Sequence, residues 1–266
     1  MFAVSYSFNV FSRWLRSGAV FALLACAVTL SYASQYPIEG YPDGQSFIQG
    51  EVIDFHVSSE IERCHVTIRR IGASSETVWE RDIENGAKQQ IPADASAQGC
   101  AWPVSFSVTV PASWRSGYYE VYFGAPDADN KERWLEGRTT YFVIRANRPG
   151  STAKILLQLT TNTYNAYDNW GGYSLYGFNS ESGRPGRKVS FSRPITSGAW
   201  EWELAFIQWA ESNGYELDYA VNSDLELHPE LLDHYQLVVS VGHDEYWSTP
   251  MRDNIERFIS NGGNMA

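Results

Sequence analysis

Two polar, aromatic segments of this sequence carry side chains that can bind a metal or move a proton. Residues 160–169 contain two tyrosines, and residues 242–247 spell Gly-His-Asp-Glu-Tyr-Trp. In an extended turn, side chains two residues apart point the same way, so we expect His243 and Glu245 on one side and Asp244 on the other. Taken singly, such residues more often belong to a surface or a core, so the prediction depends on their combination.

The same segments argue against several familiar mechanisms. The turn after Val241 carries neither serine nor cysteine where a nucleophile elbow would place one. The sequence has no His-Glu-x-x-His, no Cys-x-x-Cys and no glycine-rich phosphate loop. Asp244 and Glu245 are adjacent, so in an extended chain they point apart and do not form an acid–base dyad.

Residues 152–266 have the pattern of a parallel α/β domain. Residues 155–159 and 237–241 are apolar runs of the kind found in strands buried on both faces. Each run leads into one of the two polar segments. Because ligands in open α/β sheets collect at the carboxyl ends of the strands, the segments would converge if these strands are neighbours.

Two helices are predicted in the same half of the chain. Residues 202–210 have apolar side chains at helical spacing and end before Gly214. Thr249 and Pro250 predict an N-cap and a first-turn proline for a second amphipathic helix. The sequence stops at 264–266, where the next strand is expected, so we predict that the α/β domain is incomplete at its C-terminus.

Residues 34–146 show a different periodicity, in which apolar and polar residues alternate. Such alternation recurs in residues 53–57, 104–110 and 119–123, with glycine, proline and aspartate between the runs. Short alternating strands without a convincing helix predict an antiparallel, immunoglobulin-like β-sandwich. Residues 146–151 break the pattern and are the predicted linker.

Residues 1–33 are predicted to be a cleaved export signal. Two arginines precede an apolar run at 19–30, and a small-x-small pattern follows it. The run is shorter than the roughly 18–20 residues of a membrane helix, so stable membrane insertion is not expected. The protein is therefore predicted to be periplasmic or extracellular, with a lipoprotein anchored through Cys26 as a minor alternative.

The net charge argues against one class of partner, and the cysteine content predicts a disulfide. The formal net charge of −11 argues against a nucleic-acid partner, which needs a basic surface. Cys64 and Cys100 are the cysteines that remain after signal removal, and in an oxidising compartment we predict that they form a disulfide. The alternative is two buried free thiols. The sequence leaves open whether the protein forms a homo-oligomer.

Four sequence blocks carry a specific resemblance. They are Asn-Thr-Tyr-Asn-Ala-Tyr at 162–167, Trp-Gly-Gly-Tyr-Ser-Leu-Tyr-Gly at 170–177, Val-Ser-Phe-Ser-Arg-Pro at 189–194 and Val-Ser-Val-Gly-His-Asp-Glu-Tyr-Trp-Ser at 239–248. In this order they resemble the C-terminal part of the N,N-dimethylformamidase large (beta) subunit family. The resemblance implies a sandwich-like region followed by a glutamine-amidotransferase-like α/β domain that lacks the cysteine nucleophile.

The resemblance also implies an activity. It is an amidohydrolase reaction on linear amides, in which a mononuclear Fe(III), held by two tyrosinates and one glutamate, promotes cleavage of the C–N bond of a small formamide. Carried over to this sequence, the glutamate falls on Glu245 and its catalytic neighbour on His243. The metal-ligating tyrosine of the first block is Tyr167 in preference to Tyr164.

The second metal-ligating tyrosine should come from the sandwich. We assign it to Tyr119, while Tyr118 and Tyr122 lie close enough in sequence to remain alternatives. Hard anionic oxygen ligands suit Fe(III). A bound cation keeps phenols ionised at a pH far below their ordinary pKa of about 10.

A rival interpretation comes from another class of protein. The sequence has 10 tryptophans, and Trp170, Tyr173 and Tyr176 could form a stacking platform in a non-catalytic, exported protein that binds carbohydrate or a surface. A metal separates the two hypotheses, since the enzyme should lose its iron when Glu245 is removed.

Overall fold

The structure is a computed structural model and describes residues 36–126, 134–196 and 198–266. The strands are β1 (Ile38–Pro42), β2 (Ser46–Phe47), β3 (Val52–Ser59), β4 (Cys64–Ile71), β5 (Ser75–Ile83), β6 (Phe106–Thr109), β7 (Gly117–Pro126), β8 (Trp134–Ile144), β9 (Ile155–Leu159), β10 (Leu217–Val221), β11 (Leu237–Ser240) and β12 (Asn264–Met265). The helices are α1 (Ala95–Gln98), α2 (Thr161–Tyr167), α3 (Glu201–Ser212), α4 (Asn222–Leu227) and α5 (Thr249–Ser260), with short 3₁₀ helices at Gly177–Asn179, Glu181–Gly183 and Pro229–His234.

The predicted export signal, residues 1–33, lies outside the described residues. Within the part of the chain that is described, no helix is long and apolar enough to cross a membrane.

The first part of the described chain contains two β-sheets that share one core. One sheet is antiparallel with strand order β1-β3-β6, and the other has the order β2-β8-β7-β4-β5 with only the short β2–β8 pairing parallel. Side chains alternate as predicted, so Ile53 and Phe55 of β3 are buried against Val121 and Phe123 of β7 in the same apolar cluster. The antiparallel two-sheet prediction is confirmed, and its immunoglobulin-like topology stays a prediction.

The second part is built on a parallel sheet with strand order β10-β9-β11-β12. The strands β9 and β11 are neighbours, with Leu157 opposite Val239. The strand expected at the end of the sequence is present as β12, which pairs with β11. Because β9 and β11 lie side by side and run in parallel, the two polar segments that follow them emerge at the same edge of the sheet.

The strand β10 was not predicted. All five of its residues are buried, but Asp218 interrupts the apolar pattern. That carboxylate accepts hydrogen bonds from the Tyr235 hydroxyl at 2.8 Å and the Gly150 amide at 3.3 Å. Burial of a polar group is tolerated where hydrogen bonds satisfy it, which is why the strand forms in spite of its sequence.

Both predicted helices are present as α3 and α5. The cap of α5 lies one residue earlier than expected, because the Ser248 hydroxyl accepts a hydrogen bond from the Met251 amide at 3.2 Å. Thr249 is instead the first helical residue. The seven-residue helix α2 was not predicted as a helix, although it contains both tyrosines of the first polar segment.

The two-sheet part and the parallel-sheet part of the described chain belong to one compact unit. Arg70 of β4 forms a two-pronged ion pair with Glu211 of α3, with nitrogen–oxygen distances of 2.6 and 3.0 Å. The Ser46 hydroxyl of β2 donates to the Asp224 carboxylate of α4 at 2.8 Å. Charged contacts on two separate elements therefore fix the first part against the second.

The predicted disulfide is not formed in the structure, where Cys64 and Cys100 are both buried free thiols. Cys64 belongs to the core between the two sheets. Cys100 lies in a separate cluster with Tyr41, Trp102 and Trp170. The two-thiol alternative therefore describes the structure, because the two cysteines pack into different clusters.

Candidate functional site

Three of the four predicted site residues meet at the carboxyl edge of the parallel sheet. The Tyr167 hydroxyl lies 3.2 Å from Glu245 Oε2 and 3.2 Å from His243 Nε2. His243 Nε2 and Glu245 Oε2 are 2.9 Å apart. The side chains of His243 and Glu245 are 50% and 39% exposed, so a ligand can reach all three.

The helix α2 positions this cluster directly. It begins two residues after the end of β9, and Tyr167 is its last residue. The loop after β11 is attached to the same helix, because the Glu245 amide donates to Thr163 Oγ1 at 2.9 Å and Asn162 Nδ2 donates to the Tyr246 carbonyl at 3.0 Å. The two polar segments are thus hydrogen-bonded to each other next to the site.

Asp244 points away from the cluster, as the alternation within the loop predicts. Its two carboxylate oxygens accept hydrogen bonds from the Ser240 hydroxyl at 2.8 Å and from Asn222 Nδ2 at 3.2 Å. Asp244 therefore anchors the loop, while its two neighbours in sequence face the cluster.

A fourth residue of the cluster, Tyr176, was not predicted as part of the catalytic site. Its ring centroid lies 4.3 Å from that of Tyr167. It hydrogen-bonds with Tyr167 and Glu245, and the Tyr246 hydroxyl donates to its oxygen at 2.9 Å. Tyr176 reaches the site through the irregular segment after α2, so no periodicity in the sequence could have placed it.

Electrostatics couples these groups. Hydrogen bonds from Tyr176 and, to a smaller extent, from Tyr167 and His243 hold the pKa of Glu245 below its ordinary value despite an opposing effect of burial. Burial, followed by hydrogen bonds with Tyr167, Tyr246 and Glu245, raises the pKa of Tyr176 well above its ordinary value. The cluster therefore consists of one carboxylate surrounded by phenols that donate to it.

Arg193 fixes the segment that carries Tyr176. Its guanidinium is fully buried and donates to carbonyl oxygens of Asn165, Asp168 and Trp170. It also forms an ion pair with the Asp168 carboxylate at 3.3 Å. Arg193 thus holds the chain directly after α2 in place from inside the protein.

Tyr164, the alternative to Tyr167, has a different role in the structure. Its hydroxyl is buried and donates to the fully buried carboxylate of Glu203. Glu203 also accepts from the Thr160 amide at 3.1 Å and from the Trp200 amide at 3.0 Å. These contacts connect the start of α2 to the start of α3, so Tyr164 helps to orient the helix that ends in Tyr167.

The structure does not bring Tyr119 to the cluster. Its ring is fully buried and stacks on Trp114 and Phe142 at centroid distances of 5.2 and 5.3 Å. Its hydroxyl donates to the Arg115 carbonyl at 2.7 Å. The inward face of β7 thus places Tyr119 in the two-sheet core, and the tyrosine whose ring lies beside Tyr167 is Tyr176.

The donor set of the cluster fits a hard metal ion. Two phenol oxygens, one carboxylate and one imidazole nitrogen converge, and among the described residues no lysine or arginine forms an ion pair with Glu245. Phenolate and carboxylate oxygens are preferred by hard cations. Within the described ranges no group of three or more His, Cys, Asp or Glu side chains could hold a metal ion, so metal binding at this cluster would depend on the tyrosines.

The stacking platform of the rival hypothesis is only partly available. Trp170 is 5% exposed, and its indole nitrogen donates to Glu39 at 2.8 Å. Tyr173 is half-buried, and Tyr176 belongs to the polar cluster. The most exposed large rings beside the cluster are instead Phe178 and Trp202, at 76% and 44%.

Comparison with known proteins identifies relatives. The N,N-dimethylformamidase beta subunit of an Alcaligenes species is 27% identical over 208 residues, and that of Paracoccus aminophilus is 26% identical over 208 residues. Each match covers 62% of this chain and 26% of the relative, so the chain spans about a quarter of the length of these curated relatives. A Parabacteroides merdae beta-glucuronidase structure is matched at 8% identity, over 86% of this chain and 23% of that chain, with a TM-score of 0.25, too low to support an argument about fold.

The family assignment agrees with the four sequence blocks and with the meeting of Tyr167, His243 and Glu245. Residues 65–266 match the family described as N,N-dimethylformamidase beta subunit-like, C-terminal. This range includes the parallel sheet, the polar cluster and most of the five-stranded sheet. The chain belongs to the N,N-dimethylformamidase beta subunit-like family.

Proposed function

We propose that this protein is an iron-dependent amidohydrolase that cleaves the C–N bond of small, linear, uncharged amides. The observation that carries the proposal is the convergence of Tyr167, Tyr176, Glu245 and His243 at the carboxyl edge of the sheet. The names of the relatives support the reaction class. The matched region is about a quarter of those relatives, so substrate and activity are inferred for this chain.

In this proposal the oxygens of Tyr167, Tyr176 and Glu245 hold the metal. When bound, a ferric ion supplies Lewis-acid polarisation of the amide carbonyl. Glu245 is prepared for such a ligand, because hydrogen bonds lower its pKa and keep it ionised. Tyr176 requires the cation in order to ionise, since burial and its hydrogen bonds raise its pKa.

His243 has the position of the acid–base group. Its Nε2 atom lies 2.9 Å from Glu245 Oε2, at the exposed side of the cluster. Amide hydrolysis requires that a proton is removed from water and that the leaving amine is protonated. Imidazole is suited to both transfers near neutral pH. We assign both proton transfers to His243 Nε2.

The decisive experiment combines metal analysis with hydrolysis of formamide. The purified full chain, supplied with iron, should bind about one iron per chain, show a visible tyrosinate-to-iron absorption band and release amine from formamide. Glu245→Gln should lose the iron and the activity. Glu256→Gln, at a carboxylate that is 66% exposed on α5, is the matched control and should retain both.

An unchanged iron content in Glu245→Gln would show that the metal, if bound, is held elsewhere. A chain that binds no iron and hydrolyses no amide would remove the proposal. The exposed rings of Phe178 and Trp202 favour one alternative, which is a binding protein for carbohydrate or a surface. Quenching of tryptophan fluorescence by an oligosaccharide, in iron-free and iron-loaded protein alike, would support it.

A further inference from the structure

A continuous row of aromatic rings passes through the polar cluster. In order, the row consists of Phe178, Tyr176, Tyr167, Trp200 and Trp202, with centroid distances of 5.6, 4.3, 6.0 and 5.2 Å between successive rings. The two middle tyrosines supply oxygens to the cluster. The outer rings have no polar role there, and the end rings Phe178 and Trp202 are 76% and 44% exposed.

The Trp202 end of the row is fixed in place. Its ring stacks on Trp200 with an interplanar angle of 17°. It also lies directly against Gly242, where an added Cβ would come within 2.1 Å of the indole nitrogen. Gly242 has φ +81° and precedes His243, so Trp202 packs on the loop that carries the proposed acid–base residue.

The Phe178 end is held by the polar groups around it. Phe178 is the middle residue of a 3₁₀ helix, and the next residue, Asn179, donates from Nδ2 to the Tyr167 carbonyl at 2.8 Å. Asn169 Nδ2 donates to the Asn179 carbonyl, also at 2.8 Å. The ring of Phe178 is therefore exposed on a backbone that is tied to the site.

We propose that Phe178 and Trp202 determine specificity, and that the site prefers formamides whose nitrogen carries an aromatic ring over formamides with small substituents. This inference rests on the proposed amidohydrolase function and extends it to the substrate class. Planar rings stack favourably on exposed aromatic side chains whose positions are already fixed.

The test compares N-benzylformamide with formamide. The iron-loaded protein should show a kcat/KM for N-benzylformamide at least about tenfold above that for formamide. Phe178→Ala and Trp202→Ala should each reduce this ratio about fivefold to tenfold, because each removes a stacking surface. Trp209→Ala is the matched control, since Trp209 is 54% exposed on the same helix as Trp202 but stacks on Tyr215.

Two further readouts separate the inference from the proposed function. Binding of N-benzylformamide, followed by tryptophan fluorescence, should weaken in both variants and stay unchanged in Trp209→Ala. If formamide is hydrolysed while kcat/KM is the same for both amides, or while neither variant changes the ratio of the two kcat/KM values, the inference is wrong and the proposed function stands. If neither amide is hydrolysed and N-benzylformamide does not bind, both are wrong.

Discussion

The hydroxyl of Tyr246 donates a hydrogen bond to the hydroxyl oxygen of Tyr176 over 2.9 Å. In the metal-free cluster this hydrogen bond raises the pKa of Tyr176. A phenolate can only accept, so once a cation ionises Tyr176 the Tyr246 hydroxyl would stabilise the form that binds a metal. We expect Tyr246→Phe to weaken iron binding about tenfold and to shift the visible absorption band. Tyr215→Phe, at a 49% exposed tyrosine, should change neither. An unshifted band in Tyr246→Phe would mean that Tyr176 is not a ligand.

Tyrosine-to-phenylalanine variants also distinguish Tyr119 from Tyr176. Tyr119→Phe removes the hydrogen bond to the Arg115 carbonyl in the two-sheet core. It should therefore lower the free energy of unfolding by about 1 kcal/mol and leave iron content and colour intact. Tyr176→Phe and Tyr167→Phe should each lose most of the colour. If Tyr119→Phe loses the iron while the fold is retained, Tyr119 is a ligand after all.

We expect Glu203 to stabilise the orientation of α2. It is fully buried, and its carboxylate accepts from Thr160, Tyr164 and Trp200. Glutamine has the same shape but places an amide group against some of these donors, so Glu203→Gln should lower the free energy of unfolding by about 1–3 kcal/mol. Denaturant unfolding measures this loss. Glu201→Gln changes an exposed glutamate in the same helical turn and should be neutral.

Local patterns in the sequence identified the strands β9 and β11 because each is apolar at all but one position. Their parallel pairing then brought Tyr167 next to Glu245 and His243, as the sequence predicted. Tyr176 could not be predicted in this way. It is held by single hydrogen bonds in an irregular segment, and such contacts have no period.

The burial of Tyr119 has a related explanation. Tyr119 alternates with Val121 and Phe123, and all three are fully buried. The alternation correctly predicts a core position in a strand. A metal-binding role for Tyr119 follows only from the family resemblance, which implies a second phenol ligand. The alternation of apolar residues and the role implied by the resemblance disagree at Tyr119. The structure agrees with the alternation.

The Arg70–Glu211 ion pair predicts a pH dependence of stability. Burial alone would raise the pKa of Glu211, but hydrogen bonds from Arg70 and Tyr219 outweigh it and lower the pKa below 4.5. The folded state therefore favours the ionised form, so this stabilisation is complete above pH 4.5 and is lost as the pH falls through the lower folded value. We expect Glu211→Gln to destabilise the protein by about 3 kcal/mol at neutral pH.

Urea unfolding at several pH values checks this expectation. The difference between wild type and Glu211→Gln should shrink steadily once the pH is below 4.5. Glu216→Gln, at a nearby exposed glutamate, is the control. A difference that stays constant down to strongly acidic pH would contradict the assignment.

The two thiols give a test of the packing of the two-sheet part. Burial raises the pKa of Cys64 to about 11 and that of Cys100 well above its ordinary value. Because the thiolate is the reactive form, both should resist alkylation at pH near 8 in the folded protein and react after unfolding. Peptide mass spectrometry after alkylation in non-reducing denaturant should find both Cys64 and Cys100 labelled. Absence of the label from both would show that these two cysteines are paired.

The contacts of Arg193 have a consequence for how this family can change over evolutionary time. Arg193 binds the chain around the end of α2 mainly through hydrogen bonds to backbone carbonyl oxygens, which every amino acid supplies. The Asp168 carboxylate and the Asn165 side-chain oxygen also bind Arg193, so we expect exchange without a change of path only where, as at Tyr173 and Phe178, Arg193 does not contact the side chain. A relative with an arginine at this place could therefore change its ligand preference at those two positions without rebuilding the polar cluster.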